Sequence, residues 1–252
     1  MSKIRVAGVD IDTRHFIGGQ RVASADGATF PDHSPIDGTM LGNISSGSAP
    51  DVERAVAAAR AAFPRWAATP PAERAAVMHR IADIVERRLE ELAIVETTDN
   101  GALLRSHRRG VMPRVAHNFR FFADYLINEL HHDPFETRGH TNIVSWDPSG
   151  VCALITPWNA PLMLATWKIA PALASGDTVI LKPAEWTPLT ASLFCDIVEE
   201  AGLPAGVFNI VQGYGEKAGA ALVAHPGISR ISFTGSVPTA VLVAKAAAEN
   251  LT

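Results

Sequence analysis

ITPWNAPLMLATWKIAPALASGDTVILKPAE, residues 155–185, decides how this chain folds. Just before it, Gly150-Val-Cys-Ala-Leu-Ile155 is a short apolar run bounded by Asp147-Pro148-Ser149-Gly150, which predicts a buried strand. Thr178-Val-Ile-Leu181 is a second such run, stopped by Pro183. Between them, Pro161 to Ser175 is apolar and long enough for a helix, with Gly176 as its C-terminal stop. The pattern is a βαβ unit, which requires parallel strands and a right-handed crossover. Ligands of such sheets bind beyond the C-terminal strand ends. Those ends carry Thr156-Pro157-Trp158-Asn159 and Lys182-Pro183-Ala184-Glu185.

Outward from this unit, strand and helix patterns continue to alternate. Pro188–Ala201 predicts a helix, Val207–Val211 a strand, Ala218–Ala224 a helix, Ile228–Phe233 a strand and Ser236–Asn250 a helix. Upstream, Gly18-Gly19, Asp26-Gly27 and Asp37-Gly38 are turn signals among short strands, with Phe30, Ile36, Leu41 and Ile44 expected inside. An alanine-rich helix runs from Ser48 to about Trp66. A second, opened by Pro70-Pro71, carries Val77, Ile81, Ile84, Val85, Leu89 and Leu92 on one stripe and ends near Asn100-Gly101. A third, from about Met112 to Leu130, has Val115, Phe119, Phe122 and Leu126 on its core face, widened by Phe121 and Tyr125. Residues 141–148 alternate as a strand would. These helices read as scaffold.

The chain has 252 residues, 47% hydrophobic and 19% charged, with a net charge of −4. That supports a packed core of between one and two domains, and argues against disorder and nucleic-acid binding. No apolar run is long enough to span a membrane, and Met1–Asp12 lacks an apolar leader. Two cysteines, Cys152 and Cys195, each inside an apolar segment, do not make a disulfide framework, so the expected location is cytoplasmic. His131-His132-Asp133 with His140 lacks the partner spacing of a zinc site, and no metal is expected.

The PWNAP segment, the KPAE segment and Phe233-Thr234-Gly235-Ser236 occur in the order and on the elements of the aldehyde dehydrogenase superfamily, which this chain resembles from Phe16 onward. Within it, the nearest likeness is to the hydroxymuconic and carboxymethyl-hydroxymuconic semialdehyde dehydrogenases. The resemblance implies an α/β fold: a Rossmann-like doubly wound parallel sheet with an N-terminal helical layer and a projecting β-hairpin, the family's catalytic domain being missing. It divides the chain into hairpins and helices (1–130), an oligomerisation hairpin (131–148) and a cofactor-binding core (149–252). It implies a homodimer or homotetramer and an aldehyde substrate. The family's general-base Glu and nucleophilic Cys are expected beyond Thr252.

The resemblance also assigns residues. Asn159 would donate its amide to the aldehyde oxygen as that oxygen turns negative; from spacing alone, capping of the next helix is an equal alternative. Ile155, Thr156, Pro157 and Trp158 would line the cofactor, and Lys182 and Glu185 would meet the adenosine ribose. A carboxylate there accepts ribose hydroxyls and repels a 2′-phosphate, which favours NAD over NADP. Gly213-x-Gly215-x-x-Ala218 follows a strand and fits the loose dinucleotide fingerprint, without its usual acidic residue. Gly215 and Gly219 join the cofactor set, as do Phe233, Gly235 and Ser236, where a helix N-terminus suits a pyrophosphate. Ala240 stands where the family usually has Gly. Trp167 and Lys168 would face the substrate path. Among Arg105, Arg108, Arg109, Arg114 and Arg120, Arg114 falls at the substrate entrance and suits a substrate carboxylate.

Two other readings compete. One is a non-catalytic cofactor-binding or interaction protein. The other, a short-chain or 2-hydroxy-acid dehydrogenase, would need a glycine-rich fingerprint near the start of its domain, and residues 1–110 show none.

Overall fold

A computed structural model describes residues 3–130 and 134–252. The strands are β1 (Lys3–Val6), β2 (Val9–Asp12), β3 (His15–Ile17), β4 (Gln20–Val22), β5 (Thr29–His33), β6 (Met40–Ser45), β7 (Phe135–Thr137), β8 (His140–Asn142), β9 (Val151–Ile155), β10 (Thr178–Lys182), β11 (Phe208–Ile210) and β12 (Arg230–Phe233). The helices are α1 (Ala49–Ala67), α2 (Pro71–Arg87), α3 (Leu89–Asn100), α4 (Leu104–Ser106), α5 (Met112–Asn128), α6 (Pro161–Ser175), α7 (Leu189–Glu200), α8 (Ala220–Val223) and α9 (Val237–Asn250).

The predicted βαβ unit is present. β9 and β10 are parallel, with Ile155 opposite Lys182, and α6 crosses between them. Pro161 lies in the first turn of α6, where its missing N–H is no loss, and Gly176 ends it at φ +94°. β9 and β10 are apolar without alternation because helices cover both faces of the sheet. α6 and α7 cover one face, with α2, α3 and α5 packed over them, and α1 and α8 cover the other. A chain of rings crosses these layers: Phe119 stacks on Phe194 at 5.7 Å, Phe194 meets Phe208 edge-on at 5.4 Å, and Phe208 lies 6.3 Å from Phe16. Three of these four rings are among the largest fully buried side chains.

The sheet order is β12-β9-β10-β11-β3-β4. The first four strands are parallel. The hairpin β3-β4 then joins antiparallel to β11, through Phe16 opposite Ile210. Asn209 secures that joint by accepting from the Gly18 N–H at 2.9 Å.

Several expectations are corrected. The second helix is two helices, because Arg88 (φ −97°, ψ 15°) breaks it into α2 and α3. Ile36 is exposed in the turn between β5 and β6 and takes no part in the core. Phe121 and Tyr125 also face outward; they stack on each other at 6.1 Å, so the core stripe of α5 is narrower than its aromatics suggest. The strand expected over 141–148 is confined to β8, which pairs with β7 through a turn at Arg138 and Gly139, both at positive φ. Alternation alone makes no strand where no neighbour supplies ladder partners, and Ile143 and Trp146 are exposed. A π-turn, Gly215–Gly219, shortens the predicted 218–224 helix, and another, His107–Val111, precedes α5.

Candidate functional site

Three proposed cofactor residues stand side by side at the strand ends. Phe233 of β12 is opposite Ile155 of β9, which is opposite Lys182 of β10. The backbone continues this alignment one residue further: Thr234 N–H donates to Ile155 C=O at 3.1 Å, and Thr156 N–H donates to Lys182 C=O at 3.3 Å. Thr156 Oγ1 is buried with no hydrogen-bond partner, an orphan polar atom at the crevice floor. Pro157, Trp158 and Asn159 then climb to Ala160, the N-cap of α6. No side chain from this segment caps the helix, so the capping alternative for Asn159 is not realised. Asn159 is exposed.

At the end of β10, Lys182 Nζ and Glu185 Oε2 are 2.9 Å apart. Lys182 is only 3% exposed, and Glu185 is its ion-pair partner. Trp158 and Trp186 face each other across the gap between the two loops, ring centroids 6.4 Å apart. A cavity of about 450 Å³ opens here, lined by Trp158, Glu185, Trp186, Tyr214, Asp32 and Asp99 among others.

Two helix starts stand on the opposite face from α6. Gly215 and Gly219 bracket the π-turn before α8, and Ser236 caps α9 by accepting from the Thr239 N–H at 3.3 Å. The two helices touch, with Asn250 Nδ2 donating to Ala224 C=O at 2.9 Å. A Cβ on Gly235 would lie 2.5 Å from the Phe233 ring, so glycine there leaves that ring its place. The first fingerprint glycine, Gly213, has a different cause: its φ is +139° and a Cβ would lie 2.9 Å from the Gly47 backbone nitrogen. It is there to let two chain segments pack.

Trp167 and Lys168 lie further along α6 and line a separate cavity of about 500 Å³ with Cys152, Leu154, Asp177 and Ser232. Lys168 Nζ donates to Thr234 Oγ1 at 2.7 Å and Ser232 Oγ at 3.3 Å, and burial lowers its pKa. Burial pushes both thiols, Cys152 and Cys195, up to about 12. Neither is a thiolate at neutral pH. Arg114 is exposed on α5 and lines neither cavity. Its neighbours are occupied, Arg108 with Glu90 and Arg120 with Asp83 and Glu86, whereas Arg114 has no ion pair among the described residues. No grouping of three or more His, Cys, Asp or Glu suited to a metal occurs among the described residues. His131, His132 and Asp133 lie outside them.

Sequence reasoning missed a buried acidic group beneath the crevice: Asp32, Glu96 and Asp99, with His107 beside Glu96. Burial raises Glu96 to about 7 and Asp32 to about 6, and pushes Asp99 well above the usual carboxylate range, reinforced by the Asp32 charge. A signal was available. Leu92, Val95, Glu96 and Asp99 follow i, i+3, i+4, i+7 spacing, which puts two acids in line with apolar positions of α3.

The aldehyde dehydrogenase family profile matches residues 22–252. Bovine 2-aminomuconic semialdehyde dehydrogenase is 45% identical over 230 residues, which is 90% of this chain and 46% of that protein. Escherichia coli 5-carboxymethyl-2-hydroxymuconate semialdehyde dehydrogenase is 42% identical over 226 residues, 89% of this chain and 48% of its own length. Among solved structures, HpcC from Thermus thermophilus superposes with a TM-score of 0.90 at 45% identity, over 95% of this chain and 46% of that one. Pseudomonas syringae indole-3-acetaldehyde dehydrogenase AldA, in complex with NAD+ and IAA, superposes with a TM-score of 0.93 at 40% identity, over 96% and 50%. The chain spans about half the length of the curated relatives it matches.

Proposed function

This chain belongs to the aldehyde dehydrogenase family, and from that premise we propose that its strand-end crevice holds NAD and that the whole protein oxidises an aldehyde to its acid. The observation that carries the reading is the alignment of Phe233, Ile155 and Lys182 at one level of three adjacent parallel strands, with the Lys182–Glu185 pair at its edge. The residues fit a dinucleotide. Thr156 keeps an unpaired hydroxyl at the end of β9, and the N-terminal N–H groups of α9 suit a phosphate. Relatives with this fold, such as the P. syringae enzyme, are solved with NAD+.

When bound, the nicotinamide accepts the hydride from the substrate carbon. The chain's own residues do the rest of the work assigned here. Glu185 accepts hydrogen bonds from the ribose hydroxyls while Lys182 holds that carboxylate in place. Ser236 adds a hydroxyl beside the phosphates. Asn159, free of any capping duty, donates its amide N–H to the substrate oxygen as negative charge develops, a contribution of about 3–4 kcal/mol for a donor of this kind. Arg114 pairs with a carboxylate at the far end of the substrate, making a carboxylated semialdehyde the preferred class. The thiolate that would carry the thioester is neither Cys152 nor Cys195. It and the general base belong to the part of the family fold that this chain does not span. The β7-β8 hairpin, with exposed Phe135, serves subunit contact in a homodimer or homotetramer.

Calorimetric titration of the chain with NAD and NADP tests the cofactor reading, with NAD binding the tighter expected. Absence of NAD binding by the chain, together with absence of NAD-dependent aldehyde oxidation by the whole protein, would sink it. A second reading, cofactor binding without acylation chemistry, is favoured by one observation: both thiols of this chain are buried, which raises their pKa. It predicts binding with no turnover in any form of the protein.

A further inference from the structure

We propose that Glu96, assisted by Asp99, is a positioning residue that sets the spacing between the Asn159 arm and the Glu185 arm of the crevice. This rests on the dinucleotide reading above. α6 follows β9 and α7 follows the adjacent strand β10, and each helix begins just after one arm of the site. The first N–H groups of any helix lack partners within it. Neither helix supplies its own side-chain cap: Ala160 precedes α6 and Pro188 precedes α7. α3 supplies them instead. Glu96 Oε2 accepts from the Leu162 N–H at 3.3 Å and from the Thr190 hydroxyl at 2.8 Å, so a single carboxyl oxygen is shared by both helices. Asp99 Oδ2 accepts from the Leu189 N–H at 3.0 Å. Residues at i and i+3 share a helix face, so the two acids work as a two-pronged clasp.

Leu162 is three residues from Asn159, and Leu189 is four from Glu185. A third contact joins the substrate side. Glu96 Oε1 faces His107 Nδ1 at 3.5 Å, and His107 opens the π-turn leading to α5 and Arg114. One fully buried carboxyl therefore touches the first turns of α6 and α7 and the π-turn that leads to α5. A cap that only stabilised one helix would have no reason to bridge two. The titratable groups around Glu96 are His107 from the π-turn, Asp99 on its own helix and, beyond Asp99, Asp32 of β5; α6 and α7 present only the Leu162 amide and the Thr190 hydroxyl.

The test compares the wild-type chain with Glu96→Gln, Glu96→Ala and Val95→Ala, the last a buried apolar truncation on the same helix. Amide resonances of Leu162 and Thr190 are followed from about pH 5 to about pH 9, and NAD affinity is measured at each end. In the wild type the two resonances should move together through one titration near neutrality, and Glu96→Gln should abolish it. Glu96→Ala should weaken NAD binding about tenfold, as expected for a displaced binding group, with Val95→Ala within about twofold at comparable loss of stability. Equal weakening by Val95→Ala and Glu96→Ala, or a Leu162 titration that survives Glu96→Gln, overturns the proposal. Failure of the wild type to bind NAD overturns the functional reading instead, and the resonances still decide the positioning claim.

Discussion

Replacing Glu96 with Gln should change how stability depends on pH, in a direction set by burial. Glu96 is fully enclosed, and its carboxyl is pushed from an ordinary 4.5 up to about 7. Below about pH 4.5 both folded and unfolded chains hold the proton, and the group makes no difference. Between 4.5 and about 7 the folded chain keeps a proton that the unfolded chain has released, so stability falls as pH rises through this window. Above it the loss is complete, on the order of 3 kcal/mol at about 1.4 kcal/mol per pH unit. Gln cannot ionise, so its advantage over wild type should grow by that amount across the window and then level off. His107, lowered by burial, gives the opposite slope below its ordinary 6.5 in both proteins. The raised Asp32 and Asp99 leave a residual fall in both curves. Urea unfolding of the two proteins at half-unit steps of pH measures the difference directly. A difference that stays flat from acid to neutral pH would refute the reasoning, because Glu96 would then titrate in the folded chain as it does in the unfolded one.

Three further outcomes are expected. Glu185→Ala should relax the preference for NAD over NADP in paired titrations, by removing the carboxylate that repels a 2′-phosphate; an unchanged ratio contradicts the ribose assignment. In the whole protein, Asn159→Ala should lower kcat by about 10²–10³ with little change in NAD affinity, as steady-state kinetics would show. Arg114→Leu should remove most of the preference for carboxylated over neutral aldehydes, read as the ratio of kcat/KM values, because it deletes a bidentate partner for the substrate carboxylate.

The sequence by itself determined the βαβ unit, because its signals are local. Two unbroken apolar runs, a proline where a helix may begin and a glycine where one must end lie within residues 150–182, and the parallel register follows from the crossover between them. The order of the PWNAP, KPAE and FTGS segments likewise sufficed to place Asn159, Glu185 and Ser236 at strand ends. What only the tertiary structure decided depends on partners distant in the chain. The hairpin β3-β4 completes the sheet because Phe16 meets Ile210, a pairing that no turn signal encodes. Phe121 and Ile143 belong to good patterns and are exposed, because burial requires a neighbouring element and none covers them within the described residues. The spacing of Glu96 and Asp99 sets them in line with the apolar positions of α3, but their partners appear only when α6 and α7 bring unpaired N–H groups to them, and a carboxyl can remain in the core only where such donors converge.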